Sequence, residues 1–217
     1  LINKIVFSGL SSIQDDNKKV REKFIEIGII VTFFTSPLIF IFIYNIDLIF
    51  SYLFELKWNN ALQIIKYLLI FVLISVIASI PALTLQSLGN ANVILISNCI
   101  RLPFLVLLIL ITYFQKLPIL TFTKMFVMVE FIPASYLIFK VLKSLNINLI
   151  MFLSSFLKSS ILIIFSIVFT EMFLIFFDFR YFFLTVSVPG LIYLFLYYYL
   201  FNDDYKKIKK IIMFIIN

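Results

Sequence analysis

The sequence predicts an all-α protein, a polytopic membrane helix bundle of six spans with a partial helix at the N-terminus and an amphipathic helix at the C-terminus. Three observations carry this. Apolar residues make up 63% of the chain and the mean hydropathy is +1.14, whereas a soluble domain is about 45–50% apolar. The apolar residues gather into runs of about 18 or more, long enough to cross a hydrocarbon core of ~30 Å at ~1.5 Å per residue. The breaks between runs are short, and positive charge collects in alternate breaks.

Residues 1–8 are apolar and read as the end of an earlier membrane helix. The first residue is Leu, so the sequence is expected to be a piece of a longer protein. Residues 9–23 read as a polar linker in which Asp15, Asp16 or Asn17 caps the next helix. Span one is expected over 24–44, with Pro37 at its centre. Residues 45–60 hold Asp47, Glu55, Lys57 and Trp58, and read as a loop with a short interfacial helix anchored by Tyr52 and Trp58. Span two is expected over 61–85, with Lys66 near its start and Pro81 near its end. Span three covers 93–112 and holds Arg101 and Pro103. Span four covers 122–141, with Lys124 near its start and Glu130 and Pro133 inside. Span five covers 149–169 and holds Lys158. Glu171, Asp178 and Arg180 form a turn, and span six covers 182–201 with a break at Pro189-Gly190.

The main membrane domain is thus 1–201, and 202–217 is a separate basic tail. In that tail Ile208, Ile211, Ile212 and Ile215 recur at helical spacing with lysines on another face, the pattern of a helix lying on an anionic leaflet. Asn202-Asp203-Asp204 offer it an N-cap.

Charge placement orients the spans. One set of breaks holds Lys18, Lys19, Arg21, Lys23, Lys140, Lys143, Lys206, Lys207, Lys209 and Lys210, while the opposite set holds Lys57, Lys116 and Arg180. The first set alternates correctly with six spans and is expected to face the cytoplasm, together with both ends of this chain.

Residue usage also excludes chemistry. With no His there is no His-based triad or His metal site, and the single Cys99 forbids an internal disulfide. No catalytic residue, metal or cofactor is expected, nor a nucleic-acid partner, and the chain does not read as an enzyme.

The candidate site residues are the ionisable groups inside spans: Arg101, Glu130 and Lys158. A charge near the bilayer centre costs at least ~2.5–3.5 kcal/mol on insertion scales, so it marks a function or a buried pair. Arg101 lies ~12 Å and Glu130 ~16 Å from the same face, within reach of one another. Two readings follow. In one, the two form an ion pair that locks two helices. In the other, Arg101 and Lys158 line a watery cavity for an anionic substrate, with Glu130 tuning or gating it. Lys158 has no evident acidic partner on its own helix. Lys66 and Lys124 sit near span ends, where they snorkel. Prolines at 37, 81, 103, 133 and 189 kink spans, as is common in transporters that alternate access.

Three segments in order resemble a known family. They are Phe7-Ser-Gly-Leu-Ser-Ser-Ile-Gln-Asp-Asp16 with Lys18-Lys-Val-Arg-Glu-Lys-Phe24, then Tyr52-Leu-Phe-Glu-Leu-Lys-Trp58, then Leu85-Gln-Ser-Leu-Gly89. Together they are similar to the polysaccharide (O-antigen, Wzx-type) flippases of the multidrug/oligosaccharidyl-lipid/polysaccharide exporter superfamily, over about residues 5–145. Ser8 stands where that family often has proline, and Glu55 where it often has glycine. The resemblance implies the C-terminal lobe of a two-lobed transporter, with the N-terminal lobe absent from this sequence. It implies translocation of an undecaprenyl-pyrophosphate-linked oligosaccharide across the bacterial cytoplasmic (inner) membrane for surface polysaccharide biosynthesis. Its expected partners are the bilayer, the lipid-linked oligosaccharide and other polysaccharide-assembly proteins. Two alternatives stay open: an inactive or truncated half-transporter, and a membrane-embedded polysaccharide-assembly enzyme.

Overall fold

In a hydrocarbon interior every backbone N–H and C=O must bond within the protein, which leaves the helix as the natural element for apolar runs of this length. The computed structural model describes residues 2–54, 58–176 and 182–216, and their ordered elements are all helical. In chain order they are α1 (Ile2–Ser11), α2 (Asn17–Leu53), α3 (Asn59–Ser87), α4 (Ala91–Phe114), α5 (Ile119–Ser144), α6 (Leu149–Phe176), α7 (Phe182–Leu200) and α8 (Asn202–Ile216). Helices α2 to α6 are each long and apolar enough to cross a membrane. Helices α7 and α8 pass that test as a pair, bent by 109° at a one-residue break. The chain is therefore a polytopic membrane helix bundle.

The described chain groups into two compact units: residues 1–27 with 57–149, and residues 28–56 with 150–217. In the first unit α5 is central, packing along both α3 and α4, while α1 packs on α3. Its buried stripe is regular: Thr123, Val127, Glu130, Ala134, Leu137 and Val141 alternate in steps of four and three, the spacing of one helix face. Val127 and Ala134 meet Ile74 of α3, with Tyr67, Phe71 and Ala78 around them.

Three turns in this unit share one design. Gly89, Lys116 and Asn146 each take positive φ after a helix end (77°, 49° and 49°). The next residue's N–H then reaches back five positions, Asn90 to Leu85, Leu117 to Thr112 and Ile147 to Leu142, at 2.9–3.0 Å. These are Schellman closures, which satisfy carbonyls that the helix end would otherwise leave bare. Gly89 adopts its conformation without steric cost, and Asn is the next most tolerant residue there.

The second unit packs polar residues on its inner faces. Thr32, Ser166 and Thr170 are buried, and each hydroxyl donates to the carbonyl four residues back at 2.7 Å. Small hydroxyl side chains that satisfy themselves this way let helices approach closely. Tyr193 and Tyr197 of α7 are fully buried, with Phe33 of α2 against both rings at 5.6 and 4.7 Å.

Three expectations need correction, the first being Glu171, expected in a turn, which lies inside α6, since that helix runs on to Phe176. Residues 17–23 are not linker but the first turns of α2, because Lys, Arg and Glu are strong helix formers and polarity alone does not unwind a helix. Lys23 and Glu26 pair there at 2.6 Å. Residues 45–53 are likewise no separate interfacial helix: α2 runs through them to Leu53. Glu55, Lys57, Asp178 and Arg180, read as loop and turn residues, lie outside the described residues, as do the side chains of Ile211, Ile212 and Ile215.

The expected cap is Asp16. Its Oδ1 accepts the Lys18 and Lys19 amides, both at 3.1 Å, and Oδ2 pairs with the Lys19 ammonium at 3.1 Å. The Lys19 amide, followed by its side chain, holds the Asp16 carboxyl below its ordinary value of 3.8. A depressed carboxylate supports the folded state above its unfolded pKa and loses that support as pH falls through the lower folded value. The Lys18 and Lys19 amide resonances should therefore stay at their capped shifts at neutral pH and move together only below 3.8; Asp16→Asn should flatten that titration.

Candidate functional site

Arg101 reaches the candidate site from α4 and Glu130 from α5. Arg101 lies ~15 Å along α4 from Ala91, and Glu130 ~21 Å along α5 from Ser144, at ~1.5 Å per residue. A guanidinium bridges such a difference, and Arg101 Nη2 stands 2.6 Å from Glu130 Oε1. The contact joins charges without good alignment: Oε1 accepts no well-directed hydrogen bond, and Arg101 Nε is buried with no partner among the described residues. Glu130 is 9% exposed and Arg101 35%. The pair is therefore lopsided, with a sheltered carboxylate and a cation that reaches the open side.

That open side is a half-enclosed cleft of about 130 Å³, lined on α3 by Ile74, Ser75 and Ala78, and by Ser97, Asn98 and Pro133 beside the pair. At ~10–15 Å³ per water it holds several waters or one small anion. Ser97 donates to the Pro133 carbonyl at 3.3 Å, tying α4 to α5 beside the charges. Sequence reading missed Ser75, Ser97 and Asn98. The signal was present, since Ser97, Asn98 and Arg101 are spaced to fall on one face of an otherwise apolar helix.

Lys158 belongs to the other unit and has its own surroundings. Its Nζ is 3.0 Å from Asp204 Oδ2 and 4.9 Å from the centre of the Phe201 ring. The acidic partner comes from the first turn of α8, where the bend after α7 places it. Beside Lys158 runs an apolar groove of about 410 Å³ that includes Ser154, Leu157, Ile161 and Leu200. Lys124, expected to snorkel, stands 5.2 Å over the Tyr67 ring. On α8, Lys206, Lys207 and Lys209 are exposed while Ile208 is buried, so the described part of the tail is two-faced. Among the described residues no cluster of His, Cys, Asp and Glu is able to hold a metal ion.

Residues 1–63 match a family described as "Polysaccharide biosynthesis protein". No curated protein and no solved structure matches the chain. The family match supports a role in polysaccharide biosynthesis. It covers α1, α2 and the start of α3, and leaves Arg101, Glu130 and Lys158 outside it.

The lopsided pair has a thermodynamic signature. Removing one partner of a buried pair strands the other and costs ~3–5 kcal/mol, while replacing both with apolar residues is often neutral. Since Arg101 is about a third exposed, the single-variant cost here should fall below that range. In thermal melts of the purified protein, Glu130→Leu should be less stable than Arg101→Leu/Glu130→Leu.

Proposed function

We propose that this chain is part of a flippase that carries an undecaprenyl-pyrophosphate-linked oligosaccharide across the bacterial cytoplasmic membrane during surface polysaccharide assembly. The observation that carries the reading is Arg101: a guanidinium inside a membrane span, about a third exposed and lining a cleft beside Ser75, Ser97 and Asn98. An intramembrane cation facing a cleft suits a phosphate-bearing headgroup, and Arg offers phosphate a planar fork of donors. The match over residues 1–63 supports the pathway, though not the cargo. Nothing in this mechanism needs covalent chemistry: the cleft binds, and the kinked helices move. The reading rests on Arg101, whose cleft is lined in part by polar side chains, and not on Lys158, whose neighbouring groove is apolar.

A second reading is favoured by the 2.6 Å contact itself: the pair serves as a lock between α4 and α5. The two readings separate on a single variant. Arg101→Ala removes a charge-assisted contact of ~1.5–3 kcal/mol, so surface polysaccharide should fall by about tenfold to a hundredfold while membrane level holds. Arg101→Lys, which keeps the charge and loses the fork, should retain part of the activity. Normal polysaccharide in Arg101→Ala cells at normal membrane level would leave only the lock.

In the same reading, the start of α2, the α5–α6 turn and α8 face the cytoplasm, following the lysine distribution. In a Cys99→Ser background, Lys143→Cys should react with an impermeant maleimide only from the cytoplasmic side. Lys116→Cys should react only from the opposite side.

A further inference from the structure

In an α-helix the N–H of each residue bonds the carbonyl four positions back, so a proline leaves that carbonyl without its donor. In a bilayer no water makes up the loss, and the freed carbonyl needs another partner. Pro37 in α2 withholds a donor from Phe33, and Pro189 in α7 withholds one from Thr185.

The two helices solve this for each other. Tyr193 of α7 donates its hydroxyl to the Phe33 carbonyl of α2 at 3.0 Å. Asn45 of α2 donates its Nδ2 to the Thr185 carbonyl of α7 at 3.3 Å. Both carbonyls are those that the prolines freed, and each donor comes from the opposite helix. The remaining Asn45 bond goes to the Ile41 carbonyl at 3.0 Å, which fixes the amide against its own helix. Asn45 is 0% exposed, Tyr193 1% and Thr185 5%, so water does not compete. Between the two bonds the helices come close: a Cβ on Gly190 would stand 3.8 Å from Ile41 Cδ1.

We infer that Pro37, Tyr193, Asn45 and Pro189 form a reciprocal clasp that holds α2 and α7 in one antiparallel register, so that the two move as one element. Sliding one helix along the other would break the Tyr193 and Asn45 bonds at once in hydrocarbon. Shape-based packing alone has no such all-or-none character, since apolar side chains can repack after a small shift. The clasp uses both Nδ2 hydrogens of Asn45, while its Oδ1 is buried with no partner among the described residues. An amide there is costly unless both helices use it.

The test is a set of double-mutant cycles read by the melting temperature of the purified protein in lipid nanodiscs, which does not depend on any transport activity. Tyr193→Phe removes only the donor and should lower the midpoint by about 2–4 °C. Pro37→Ala restores a backbone N–H to the Phe33 carbonyl, so Tyr193→Phe should cost less than half as much in that background. Pro189→Ala serves the other carbonyl and should leave the cost of Tyr193→Phe unchanged. Asn45→Leu, close in volume, should show the mirror pattern: relieved by Pro189→Ala and not by Pro37→Ala. Equal losses in all backgrounds, relief by either proline alike, or no loss from Tyr193→Phe would each overturn the clasp.

Discussion

Every backbone carbonyl in this chain that lies in hydrocarbon must find a donor inside the protein, and the fold answers that demand in three ways. Where α3, α4 and α5 end, a residue at positive φ turns the chain so that an N–H reaches back five positions. The buried Thr32, Thr84 and Ser166 each donate a hydroxyl to the carbonyl of the preceding turn. Where Pro37 and Pro189 break a helix, the neighbouring helix supplies a side chain. The same rule links turn design, the composition of the inner faces, and which helices are paired.

Charge obeys a parallel rule with a different outcome in each unit. In the first, Glu130 sits in the buried stripe of α5 and brings Arg101 to it, with about a third of the arginine side chain left exposed. In the second, Lys158 and Asp204 make a complete pair with an aromatic ring against the ammonium. The exposed part of Arg101 stands beside a cleft lined in part by polar side chains, whereas the groove beside Lys158 is apolar. That contrast separates Arg101 from Lys158, although both are basic residues within apolar helices.

Much of this was legible in the sequence, for physical reasons that can be named. Hydropathy located the spans because the bilayer selects on it directly. The steps of four and three along α5 are visible in the residue spacing, and depth along the two helices brought Arg101 and Glu130 together. The cap at Asp16 was legible as one of three neighbouring candidates. What stayed hidden depended on partners distant in sequence. Asn45 and Asp47 look like a break after span one, but α2 continues because Asn45 has an acceptor on α7, about 140 residues away. Asp204 looks like a cap for the tail, and only the 109° bend shows it as the counter-ion of Lys158. The first turns of α2 were hidden for a different reason: strong helix formers that are also charged resemble a linker in any reading based on polarity.

The two rules together constrain how such a bundle changes shape. Bonds that replace a missing backbone donor are costly to break in lipid, so motion is expected where contacts are apolar or where charges have an alternative partner. The α2–α7 pair fails that criterion, because its two bonds stand or fall together. The Arg101–Glu130 cleft meets it: in the proposed function a phosphate entering beside Arg101 would replace part of what Glu130 supplies, and the carboxylate would then loosen its hold on α4. Ligand binding at that point would thereby be coupled to the contact between two helices, through a competition for one guanidinium that needs no additional switch.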